Sequence, residues 1–147
     1  MSVGIRNLQA FKKRLNKRVL KSTEDKLKKL IFESALLVER TAKDSILSGN
    51  KTGNVYIRGG KPHIASAKGE APANDGGNLL SGISTRVKEM RSSVIGQVFT
   101  NSHGLSPYGR DLEFGTKNMD KRPFMQPALE KNRPKIRRKF KNAKYIK

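Results

Sequence analysis

The chain has 147 residues, the length of one domain, but only 35% are hydrophobic and 6% aromatic, so a modest core is expected beside loops, arms or surfaces that need a partner. It holds no cysteine, which excludes a disulfide framework and thiolate chemistry and suits assembly in a reducing cytosol. The net charge of +20 sits at the two ends: residues 1–29 carry 10 Lys/Arg against 2 acids and residues 117–147 carry 12 against 2, while residues 30–116 carry 10 against 8.

Basic ends point to an anionic partner, either nucleic acid or an acidic protein surface, with solvated helix faces as the plain alternative. In chain order, Ile5, Leu8, Phe11 or Lys12, Leu15 and Val19 fall at near-helical spacing and predict a basic amphipathic helix within residues 1–21. Ser22-Thr23-Glu24-Asp25 then reads as a new helix start, with Ser22 as cap and Asp25 closing a capping box. Leu27, Leu30, Ile31, Ala35, Val38, Ala42 and Ile46 give this second helix an apolar face, and Gly49 stops it.

Residues 50–78 are punctuated by glycine and proline and predict an exposed hairpin and loop. Asn54–Arg58 and Lys61–Ala65 pair across Gly59-Gly60, because two adjacent glycines supply the positive φ of a tight turn. The segment from Ser66 to Gly77 has small side chains and no periodicity, and its length favours a binding role. Alternation over 79–90 (Ile83, Thr85, Val87) and again over Val94–Thr100 predicts a second antiparallel hairpin, turning at Arg91-Ser92-Ser93.

Ser106-Pro107 resembles a helix start, and Gly115 ends the short helix Pro107–Phe114. Arg122-Pro123-Phe124 should be extended, and Pro127 opens a last helix bearing Leu129, Ile136 and Phe140. Pro134 is awkward within it, since an interior proline costs about 3 kcal/mol. Residues 130–147 form a basic C-terminal helix or arm, frayed over the last ten or so. The result is a single domain of α+β class: a small antiparallel sheet of two hairpins, with N-terminal helices and a C-terminal helix packed on one face.

Little here suggests catalysis. His63 and His103 lie forty residues apart without a spaced partner, no GxSxG elbow occurs, and neither GxxxxGK[ST] nor GxGxxG follows a strand. No enzyme activity, metal or cofactor is expected. Aromatics are scarce in the basic ends (Phe11, Phe140, Tyr145), so base stacking is not indicated, although non-specific contact with a nucleic-acid backbone needs only charge. No apolar run approaches the roughly 20 residues that span a bilayer, and MSVGIRNLQAF lacks a signal-peptide core. A soluble protein with no membrane contact is expected.

Two stretches resemble one protein family. The first runs from Thr52-Gly53 through Tyr56, Ala65-Ser66 and Gly69-Glu70-Ala71-Pro72-Ala73 to Gly77-Asn78-Leu79-Leu80 and Ser81. The second, more specific, is Tyr108, then Glu113-Phe114-Gly115-Thr116, Met119, and Arg122-Pro123-Phe124-Met125-Gln126-Pro127-Ala128-Leu129. Together they resemble the neck and tail-completion proteins of tailed bacteriophages, over about residues 5–140. Two departures are Ser106-Pro107, where a small residue often precedes the tyrosine, and Pro134 in the last helix.

The resemblance implies a non-enzymatic α+β subunit without a cofactor, forming a ring with copies of itself, six or a multiple of six. It implies connector, head-closure, tail-terminator or tail-tube proteins as neighbours, with possible contact to genomic DNA, and a place in the virion neck or tail after assembly in the host cytoplasm. The signature residues Gly69, Glu70, Pro72, Tyr108, Glu113, Phe114, Gly115, Thr116, Arg122, Pro123, Phe124 and Pro127 would then shape the subunit contacts. Glu113 and Arg122, opposite charges flanking a glycine turn, are candidates to pair within or between subunits. Phe114 and Phe124 fit either core or interface, with core the commoner fate. Pro123 and Pro127 stiffen the corner. The competing reading is a basic nucleic-acid-binding protein of ribosomal or nucleoid-like type, which explains the charge directly.

Overall fold

A computed structural model describes residues 8–90, 93–101 and 108–143, with side chains throughout those ranges except at 8–12 and 15. It is α+β, with helices beside two antiparallel hairpins. The first element is one helix, α1 (Leu8–Ser48), of 41 residues and about 60 Å at 1.5 Å per residue. The expected break at Ser22 is absent. No glycine or proline stands between residues 5 and 48 to interrupt the helix, and Thr23 turns its hydroxyl inward, donating to Val19 O at 3.0 Å. A hydroxyl that bonds back one turn sits inside a helix instead of capping a new one. Gly49 ends α1 as the sequence predicts: its N–H donates to Ser45 O, and a Cβ there would come within 2.3 Å of that oxygen.

The hairpin β1 (Val55–Arg58) and β2 (Lys61–Ile64) turns at Gly59-Gly60, both at positive φ, in the register Val55 with Ile64 and Ile57 with Pro62. A single helical turn, α2 (Asn78–Gly82), replaces the first residues of the expected long strand. It precedes β3 (Ile83–Glu89), paired with β4 (Val94–Thr100) in the register Ile83 with Thr100. Met90 N–H closes the turn onto Ser93 O; Arg91 and Ser92 lie outside the described residues. The two hairpins form separate sheets.

The helix α3 (Gly109–Phe114) is pressed against the end of β4, where a Cβ on Gly109 would meet Thr100 Oγ1 at 2.6 Å. The expected cap at Ser106-Pro107, like His103 and Tyr145, is outside the described residues. The last helix, α4 (Met125–Lys141), runs straight through Pro134 in sequence, and the missing N–H falls where the side chain is exposed.

The core is small and one-sided. Val38, Ala42 and Ile46 on α1 meet Leu79, Ile83, Phe124 and Ala128. A polar pin joins the two long helices: buried Asn132 donates to Thr41 Oγ1 at 2.8 Å and to Ala128 O at 2.9 Å. All of this engages the C-terminal half of α1. From residue 13 to 26 every described side chain except the half-buried Thr23 is exposed.

Candidate functional site

The two signature stretches, far apart in sequence, meet in one corner. Its centre is Glu113, at the end of α3. The first backbone N–H groups of α4 have no intrahelical acceptor, and Phe124, which precedes the helix, offers no side-chain cap. The Glu113 carboxylate supplies one from outside. Its oxygens accept from the N–H groups of Phe124 at 2.8 Å, Met125 at 2.9 Å and Gln126 at 2.8 Å. A negative charge at a helix N-terminus also gains from the helix dipole.

Within the chain, the expected pairing of Glu113 with Arg122 therefore does not form. Three convergent N–H donors saturate the buried carboxylate, and Arg122 turns the other way. Its Nε donates to Ser66 O at 3.1 Å and its Nη1 to Asp120 O at 3.0 Å, while its backbone N–H donates to Leu112 O at 2.6 Å.

Gly115 makes the turn between these groups. It has φ 78°, and a Cβ would stand 2.9 Å from Met119 O and 3.0 Å from Lys121 N. Thr116 and Met119 then close a small bridge through paired backbone hydrogen bonds. The first stretch docks here through Gly69 N–H, which donates to Lys121 O at 3.0 Å. Glu70 holds it to the end of α1. Its carboxylate accepts from Thr52 Oγ1 at 2.6 Å, Thr52 N at 3.0 Å and Ala67 N at 2.8 Å, and these bonds lower its pKa from the ordinary carboxylate value.

Lys51 adds a further strap, donating from Nζ to Ala71 O at 2.9 Å and Ser45 O at 3.3 Å; burial lowers its pKa, with Glu70 opposing. Pro72 is buried. The segment read as a wholly exposed loop is thus fixed to the body over its first half, because Glu70 and Gly69 give its backbone defined partners.

The remaining signature residues divide. Phe124 is 1% exposed and lies in the core, whereas Phe114 is 73% exposed. The core expectation holds for the first and fails for the second, since Phe114 is the last residue of α3 and stays at the surface. Tyr108 is exposed at the start of α3, its carbonyl accepting from Leu112 N–H. Thr116 and Pro127 are exposed and Pro123 half-buried.

Phe114 borders an apolar groove of about 880 Å³ that runs between α1, β4, α3 and α4, lined among others by Ile31, Val98, Phe99, Phe114, Leu129 and Phe140. Residues of β4 line it but none of β3, and among the described residues β4 pairs with β3 alone, so its other edge carries no strand. The β1–β2 hairpin is a second apolar feature, with Val55, Ile57 and Ile64 exposed at 63%, 70% and 47%. On its other face the Tyr56 and His63 rings meet tilted by 55°, with centres 5.0 Å apart. The sequence showed the hairpin but not the groove, which depends on how four elements meet.

Basic side chains form two exposed tracts. Lys13, Arg14, Lys17, Arg18 and Lys21 lie on the free half of α1, and Lys131, Arg133, Lys135, Arg137, Arg138 and Lys141 lie on α4. Among the described residues no group of three or more His, Asp or Glu is placed to hold a metal ion, and no helix is long and apolar enough to cross a membrane. Compared with known protein families, curated proteins and solved structures, the chain matches none.

Proposed function

We propose that this chain is a structural, non-enzymatic subunit of a ring at the head-to-tail joint of a tailed phage. The observation that carries the reading is the juxtaposition of a rigid, internally satisfied corner with an exposed Phe114 on the rim of a large apolar groove. A contiguous apolar surface of this kind on a small protein marks a macromolecular contact, and an aromatic held on a stiff support is the usual anchor of one. The family resemblance supplies the setting: virion neck or tail, with connector, head-closure, terminator or tube proteins above and below, and assembly in the host cytoplasm.

A second reading has its own support. The two exposed basic tracts on α1 and α4 suit a phosphate backbone, and a nucleic-acid-binding protein would need nothing more. One experiment separates the two. The purified chain is weighed by light scattering and imaged by negative stain at moderate salt, and duplex DNA affinity is measured across a salt series. Closed rings with weak DNA affinity are expected. A monomer that binds DNA tightly, with an affinity falling steeply with salt, would overturn the ring.

A further inference from the structure

We infer that the groove of each copy receives the β1–β2 hairpin of the next copy, so that subunits join head to tail. The inference rests on the ring reading and specifies its contact.

The hairpin is two-faced by register. Directly opposed residues share a face, so Val55, Ile57, Pro62 and Ile64 form one side, entirely apolar, and Tyr56, Arg58, Lys61 and His63 form the other. The apolar side is exposed and covered by nothing among the described residues. A lone two-stranded hairpin is at best marginal in water, and this one keeps its best hydrophobic side chains outward. It is nevertheless held at both ends: its ladder continues below the strands, Gly53 N–H donating to Ala65 O and Ala65 N–H to Asn54 O, and beside the turn Arg58 pairs with Asp75 of the following loop. It is a supported hairpin with an exposed apolar side.

The hairpin does not fill the groove of its own chain. It leaves the body beyond Ser48, while α1 borders the groove with Ile31, Ser34, Ala35 and Val38. Those residues lie 10–17 positions back, about 15–25 Å along the helix axis at 1.5 Å per residue, and no hairpin residue lines the groove.

Two complementary patches at different places on one chain define a heterologous contact, which closes into a ring if the rotation allows and otherwise runs on as a fibre. Capacity and area agree. A groove of about 880 Å³ admits the four apolar side chains. Their exposed surface, roughly 400 Å², is at the upper end of what monomers leave bare and is about half of one side of a standard interface, roughly 800 Å². The open edge of β4 beside the groove offers the rest through backbone hydrogen bonds, as in strand addition.

The absence of cysteine makes the test selective. Copies carrying Ile57→Cys are mixed with copies carrying Leu129→Cys and treated with a short bis-maleimide; both positions are exposed, so folding should survive. The expected result is a linked pair in the mixture, little linkage in either variant alone, and a ladder from the double variant. In parallel, Ile57→Asp should weaken self-association about tenfold or more with an unchanged circular dichroism spectrum. Rings that form without the mixed linkage, or that persist unweakened in Ile57→Asp, overturn this contact and leave the ring reading standing. Linkage that requires an added neck or tail protein overturns it in favour of a different partner. A chain that stays monomeric and unlinked overturns both.

Discussion

The corner around Glu113 and the hairpin around Ile57 are both built from turns and glycine, yet they treat their exposed groups in opposite ways. In the corner nearly every polar group has a partner: Glu113 takes three N–H groups, Glu70 takes two N–H groups and a hydroxyl, and Arg122 binds two carbonyls. In the hairpin the backbone is paired but the apolar side chains are not. The corner is finished within the chain; the hairpin leaves its apolar side exposed. Substitutions in the first should cost folding stability and, under the proposed ring contact, substitutions in the second should cost assembly.

The sharpest break of that contrast is within the phenylalanines. Phe124→Ala, at a site 1% exposed, should destabilise the fold by about 3–5 kcal/mol in chemical denaturation. Glu113→Ala comes next: it strands three N–H groups of a helix N-terminus and should cost about 2–3 kcal/mol by the same measurement. Asn132→Ala, which removes the pin between α1 and α4, should cost about 1–2 kcal/mol.

Acid sharpens the comparison from another side. Glu70 and Glu39 both have lowered pKa values. For Glu70 the cause is the Thr52 hydroxyl and two backbone N–H groups. For Glu39 burial pulls upward, but the hydrogen bond and charge of Lys43, with the nearby Thr85 hydroxyl, outweigh it. A folded pKa below the unfolded one stabilises the native state above the unfolded value and is lost as pH falls through the folded value. The thermal midpoint should therefore fall as pH drops below about 4.5, and Glu70→Gln should flatten that fall. The smallest effect on folding is expected for Phe114→Ala, within about 0.5 kcal/mol for an exposed side chain, with reduced self-association in light scattering.

The sequence was informative where local chemistry decides and silent where distant groups compete. Gly59-Gly60 announced the first hairpin because positive φ at both positions leaves one common solution. Alternation announced β3 and β4. Ser22 through Asp25 looked like a helix start and became helix interior, because capping competes with continuation and nothing there breaks the helix. Asn78–Gly82 was hidden because one turn has no period to read; only the fold shows that Leu79 and Ile83 enter the same core. Glu113 had an obvious opposite charge at Arg122, but the free N–H groups of α4 outbid it, and their position is a tertiary fact. The two signature stretches did meet: Gly69 binds Lys121 and Arg122 binds Ser66. Phe114 and Phe124 are the same residue type ten positions apart, and only packing separates their roles.

The unequal halves of α1 make the helix a graded gauge of local opening. Its amides near Ile46 are locked into the core and should exchange with solvent only on global unfolding, whereas those before Lys26 can open turn by turn at little free-energy cost. Whatever grips the basic free half, polyanion or neighbouring subunit, would slow exchange there first and leave the Ile46 end unchanged, so the site of engagement can be read along a single helix.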